Sequence, residues 1–141
     1  MTSTVAKRHQ DTILNSINEG VFTVDLNLKI TSFNQAAEKI TRVRRRDAIG
    51  RPCCEVFRAN ICENACAMKR TLASDKPMVN VRAHVVTSTG AQIPIRLSTA
   101  PLREADGTVV GGVETFQDLT QVEQLRKALE ASYTFEDIIG R

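Results

Sequence analysis

The chain has no tryptophan, one tyrosine and five phenylalanines, so a stacking platform for single-stranded nucleic acid is excluded and the core is expected to be mainly aliphatic. No run approaches the ~18 uncharged apolar residues that cross a bilayer, and the first ten residues lack the apolar stretch of a secretion signal. The expected compartment is the cytosol, with no membrane partner. Nineteen basic against sixteen acidic residues leave a charge of +3, too small a field to argue for direct nucleic-acid binding. A phosphate-cradling G-x-x-x-x-G-K-[ST] loop is also missing, so this chain is not expected to hydrolyse ATP. No nucleophile, base and oxyanion set is visible either, and the chain is expected not to be an enzyme.

What is present is 141 residues, 42% hydrophobic and 25% charged, the proportions of one ordinary globular domain. The one oddity is cysteine: all four, Cys53, Cys54, Cys62 and Cys66, fall between positions 53 and 66. In a reducing compartment structural disulfides are disfavoured, which leaves metal or iron–sulfur binding, thiol redox sensing or plain packing.

Local patterns predict the elements. Residues 1–20 read as a leading helix with Ile13, Leu14 and Ile17 on one face, stopped by Gly20. V-F-T-V-D-L from Val21 and K-I-T-S-F to Phe33 read as a hairpin around Asn27. Asn34 is the expected N-cap of a short helix through Q-A-A-E-K-I, a second begins near Arg46 or Asp47 and stops at Gly50, and Pro52 suits another first turn. Ala65 to Ser74 is the expected longer helix.

The period then changes. Val79, Val81, Ala83 and Val85 alternate with Asn80, Arg82 and His84, and Ile93, Ile95 and Leu97 with Pro94, Arg96 and Ser98, so each set predicts a strand with one buried face. Thr89-Gly90 and Asp106-Gly107 are turn signals, the second preceding a strand from Val109 to Phe116. Thr120-Gln121-Val122-Glu123 fits a capping box, so a helix is expected there. Its apolar seam of Val122, Leu125 and Leu129 serves a helix packed on its own domain or a dimeric coiled coil, and so short a seam does not separate the two.

This order, with N-E-G-V-F-T-V-D (18–25), I-T-S-F-N-Q-A-A (30–37), A-I-G-R (48–51), A-D-G-T-V-V-G (105–111) and D-L-T (118–120), resembles the PAS domain, a sensory module. The resemblance implies an α+β fold: a five-stranded antiparallel sheet covered on one face by short helices, with flanking helices at both ends. One departure is Leu28, which stands where many members have Gly and predicts a longer or looser first turn. The last residues, Tyr133-Thr134-Phe135-Glu136-Asp137-Ile138-Ile139-Gly140-Arg141, resemble the entry to the AAA+ ATPase domain of sigma-54-dependent transcriptional activators. The implied organisation is a leading helix over 1–20, the PAS domain over 21–119, an output helix over 120–133 and the start of an ATPase domain over 134–141. The implied partners are a second copy of the chain, joined along Val122, Leu125 and Leu129, and the AAA+ domain of the same chain.

For the cysteines the residues alone leave several readings. A thiolate is favoured at a helix N-terminus or beside positive charge, and Cys53 follows Pro52 and Arg51. Cys62 and Cys66 share a face if the helix extends back to Cys62. Adjacent side chains on a helix diverge by ~100°, so Cys53 and Cys54 are poor joint ligands of one ion and three ligands are more credible than four. The run also resembles a subset of PAS sensors in sigma-54 regulators with G-R-P-C, E-V-F, an isolated Cys and A-C, which implies Cys53, Cys62 and Cys66 as the ligand set, with Cys54 a substitute. Three thiolates with an open site suit an iron–sulfur cluster, whereas structural zinc wants four protein ligands. An unknown small molecule, or no ligand, is the alternative. Gly50-Arg51-Pro52-Cys53 resembles the start of the photoactive loop of flavin-binding light sensors, but C-E-V-F replaces the R-F-L-Q that follows there and argues against flavin chemistry.

His9 and His84 are expected at the surface, which argues against haem, and Arg42, Arg44, Arg45 and Arg46 are expected in a solvated connection. The function expected is a cytosolic signal sensor regulating a sigma-54-dependent activator. A passive dimerisation module with a filled apolar interior, or a thiol redox enzyme, are the other classes.

Overall fold

The computed structural model describes residues 19–60 and 66–139, with 132–139 described by their helical backbone. Strand β1 (Glu19–Asp25) turns into β2 (Ile30–Phe33), and four short helices follow: α1 (Gln35–Thr41), α2 (Arg45–Ala48), α3 (Cys53–Phe57) and α4 (Ala67–Ser74). Strands β3 (Met78–Val86), β4 (Gln92–Arg103) and β5 (Val109–Asp118) come next, then helix α5 (Thr120–Ile139). The sheet order is β2-β1-β5-β4-β3 with every neighbouring pair antiparallel. Because β2 and β3 are opposite edges, the helical segment between them must cross the sheet, and it covers one face.

Turn chemistry sets the local course. Asp25 accepts hydrogen bonds from the Asn27 and Lys29 amides through Oδ1 (2.9 and 3.0 Å). Leu28 takes a left-handed φ of 64°, the conformation a glycine would adopt without steric cost. The first turn is therefore tight and not loosened as expected, because the Asp25 carboxylate holds it closed. Asn34 caps α1 as expected: its Oδ1 accepts from Ala37 N–H and Val21 N–H, both at 2.9 Å, while its Nδ2 donates to the Glu19 carbonyl at 3.0 Å. One side chain thus fastens the helix start to β1.

Several expectations are corrected. Gly20 does not stop a helix; it lies in β1 opposite Phe116, and a Cβ there would overlap the Phe116 ring. The remainder of the expected leading helix, with His9, lies outside the described residues. Val79 is exposed, since the β3–β4 register shifts between Met78 and Val81 and Asn80 adopts a φ of 57°. That bulge turns Val79 off the buried face, and regular alternation resumes at Val81. Helix α4 begins at Ala67 with Cys66 as its N-cap, and Cys62, expected to share a helical face with Cys66, lies outside the described residues. Helix α5 begins at Thr120, but the Thr120 hydroxyl donates to Asp118 Oδ1 at 2.5 Å and the Thr120 amide does so at 2.8 Å. Asp118, and not Thr120, supplies the side-chain cap. The helix also runs unbroken past 133 to Ile139.

The core lies between the helices and the covered face of the sheet. Phe22, Phe33, Phe57 and Phe116 are all at most 3% exposed, and Phe22 sits 5.4 Å from Phe57 and 6.0 Å from Phe116 between ring centroids. Aliphatic residues such as Val24, Ile30, Val85, Ile95 and Leu97 surround them. The core is thus mainly aliphatic, as expected from so few rings, with the four phenylalanines clustered within it.

Candidate functional site

The expected site begins where α3 begins. Pro52 pairs with Lys29 in an isolated bridge, and the Cys53 amide donates to the Leu28 carbonyl at 2.9 Å. The tight first turn therefore fixes Cys53 against the sheet, and Cys53 is 6% exposed. Cys66 is half-buried before α4, while Cys54 is exposed on the outer side of α3. Cys53 and Cys66 border one small cavity with Phe22, Phe57, Met68 and Glu114. Cys62 lies outside the described residues. Among the described residues no group of three or more His, Cys, Asp and Glu side chains is arranged to hold a metal ion.

Glu114 is the residue the sequence reading missed. It lies on β5 between Gly112 and Phe116 on the covered face, opposite Phe22 of β1 and Thr99 of β4. It is 5% exposed, and its Oε2 has no hydrogen-bond partner. The nearby Thr99 hydroxyl is occupied by the Thr71 hydroxyl of α4 at 2.5 Å. Burial pushes the Glu114 carboxyl up to about 8, because desolvation penalises the charged form, so it is mostly neutral at pH 7. The signal was available: strict alternation puts Glu114 on the face of Phe116, one carboxylate on an apolar surface.

The cavity has a volume of about 10 Å³, room for about one water molecule. One wall is Met68, itself buried, whose thioether lies over Gly112 where a Cβ would overlap it.

Four residues beyond Glu114, β5 ends at Asp118. Leu119, 6% exposed, donates its amide to the Pro94 carbonyl at 2.8 Å, and α5 leaves from there. Val122, Leu125 and Leu129 are 61%, 63% and 62% exposed, so nothing among the described residues covers the seam. His84 is exposed, as are Arg42, Arg44, Arg45 and Arg46. No helix among the described residues is long and apolar enough to cross a membrane.

This architecture, a five-stranded sheet with helices crossing one face and a helix leaving its last strand, is that of a sensory module. The PAS fold model matches residues 14–124, and the chain belongs to the PAS fold family. It is 29% identical over 121 residues to the probable diguanylate cyclase DgcE of Escherichia coli (strain K12), covering 84% of this chain and 11% of that protein. It is 26% identical over 133 residues to the transcriptional activator RocR of Bacillus subtilis (strain 168), covering 91% of this chain and 28% of that protein. The chain therefore spans a small part of either relative. Among solved structures, the PAS domain of a Colwellia psychrerythraea protein matches with a TM-score of 0.71 at 14% identity, over 82% of this chain and 98% of that one.

Proposed function

We propose that the chain is the cytoplasmic sensor of a bacterial signalling protein, receiving its signal in the cavity beneath α3 and α4 and passing it through α5 to an effector domain. The observation that carries this reading is continuity: β5 holds Glu114 in the cavity and, four residues on, Asp118 caps α5. A change at the cavity that moves β5 reaches the output helix through one strand. The resemblance of 133–141 to the entry of an AAA+ domain, together with the similarity to an activator of transcription, supports a sigma-54-dependent ATPase as the effector. The chain itself works without catalysis.

The exposed seam supports a homodimer along α5, since three large apolar side chains on one helix face are matched by a second copy of that face. A signal then acts by favouring one of two arrangements of the paired helices. The expected result is that wild type sediments as a dimer and that the triple variant Val122→Ser, Leu125→Ser, Leu129→Ser is monomeric with an unchanged melting temperature of the core. A triple variant that still dimerises and still responds to signal in the parent protein would sink the proposal. The buried Glu114 carboxyl favours this reading over a passive dimerisation module, whose interior would be filled and apolar.

Cys53 and Cys66 on one cavity favour a second reading, in which they and Cys62 hold an iron–sulfur cluster whose oxidation supplies the signal. Purified without oxygen, the chain is then coloured and carries iron and sulfide, and Cys53→Ser is colourless. A colourless, metal-free wild type removes the cluster.

A further inference from the structure

We infer that the cavity binds a small organic amine, its ammonium group paired with the Glu114 carboxylate and its apolar body held by Phe22, Phe57 and Met68. The inference rests on the sensor reading and names the class of ligand that the site takes. A carboxyl with an unpartnered oxygen, 5% exposed, is an unmet demand for a polar partner. The Thr99 hydroxyl beside it is engaged with the Thr71 hydroxyl, and neither serves Glu114 Oε2. Once ionised the carboxylate repels an anion, and a hydrocarbon would leave Glu114 unpaired. An ammonium group meets the carboxylate with a charge-assisted hydrogen bond, and the rings of Phe22 and Phe57, with centroids 5.4 Å apart, attract an organic cation through their faces.

Room comes from Met68. Its unbranched side chain has several rotamers of similar energy and occupies the space left by the missing Cβ of Gly112. Rotating it away enlarges a cavity that otherwise holds about one water.

The titratable groups facing Glu114 are Cys53 from α3 and Cys66 before α4; β1 and β4 contribute Phe22 and Leu97. Below about pH 8 the carboxyl carries a proton. Binding the cation breaks that O–H bond and releases the proton to water, while the ammonium keeps its own protons. Affinity therefore rises about tenfold per pH unit below this point and levels off above it.

The test is calorimetric titration of the whole chain with benzylamine, using benzyl alcohol and toluene as neutral molecules with the same ring. The expected result is saturable benzylamine binding, at least about tenfold tighter than either neutral molecule. Release of close to one proton per benzylamine is expected near pH 6.5, falling to about a quarter of a proton near pH 8.5. Glu114→Gln and Glu114→Met should each erase the preference for the amine, and Met68→Ala should tighten binding. The inference is overturned if neither wild type nor Met68→Ala binds benzylamine saturably, if toluene or benzyl alcohol binds as well, or if the preference survives in both Glu114 variants. Failure to bind amine while α5 seam variants still lose the response removes the ligand class alone. Amine binding with a response indifferent to the seam removes the transmission reading alone.

Discussion

Glu114 holds a carboxyl on the strand face where Phe116 holds a ring, and its protonation is written into the stability of the fold. Its carboxyl is raised from the ordinary 4.5 to about 8 by burial, so between these values the native state keeps a proton that the unfolded chain gives up. Stability from this group is complete below about 4.5 and is lost as pH rises towards about 8. The expected slope is about 1.4 kcal/mol per pH unit over that window, measured as the difference between wild type and Glu114→Met in denaturant unfolding across pH. Equal slopes for the two proteins would show that the carboxyl titrates normally. At this scale the sequence was legible where a side chain serves its own neighbourhood: the cap at Asn34 and the turn carboxylate at Asp25 follow from residue type and position. Glu114 and Gly20 were not, because a burial or a ring overlap is made by residues far away in the chain. Gly20 is glycine because Phe116, on the neighbouring strand, occupies the space of its Cβ.

The elements show the same division. Alternating Ile93, Ile95 and Leu97 predicts the buried face of β4, and the structure buries Ile95 and Leu97 with Ile93 packed against the core. The equivalent pattern in β3 fails at Val79, because a bulge at Asn80 breaks the two-residue period, and the Asn80 amide bonds instead to the Ser98 hydroxyl at 3.1 Å. At α5 the expected box and the observed cap compete for the Thr120 amide, and Asp118, two residues before it, takes it, while the Glu123 amide bonds to the Leu119 carbonyl; an acidic side chain there favours the positive end of the helix. Asp118→Ala is therefore expected to cost about 1 kcal/mol and to speed amide hydrogen exchange in the first turn of α5. Exchange unchanged in that turn would assign the helix start to Leu119 and its bond with Pro94. Since this cap joins the sensor to its output, the same variant tests how firmly the two are coupled.

For the whole molecule, the strand order β2-β1-β5-β4-β3 places the first and last strands side by side at the centre. That pairing brings Phe22 of β1 against Phe116 of β5 and sets both beside α3, although these elements are far apart in the chain. The sequence by itself determined most of the elements, their order, the hairpin, the α5 start and the presence of its apolar seam, because capping, turn chemistry and alternation act over a few residues, whereas only the structure shows that seam exposed. It also marked the cysteine window as a site to explain. Only the tertiary structure decided that Cys53 and Cys66 face one cavity, that Cys54 faces out, and that the cavity's polar group is a glutamate from β5. Burial depends on what crosses over a strand, and the helices over Glu114 come from the other half of the chain.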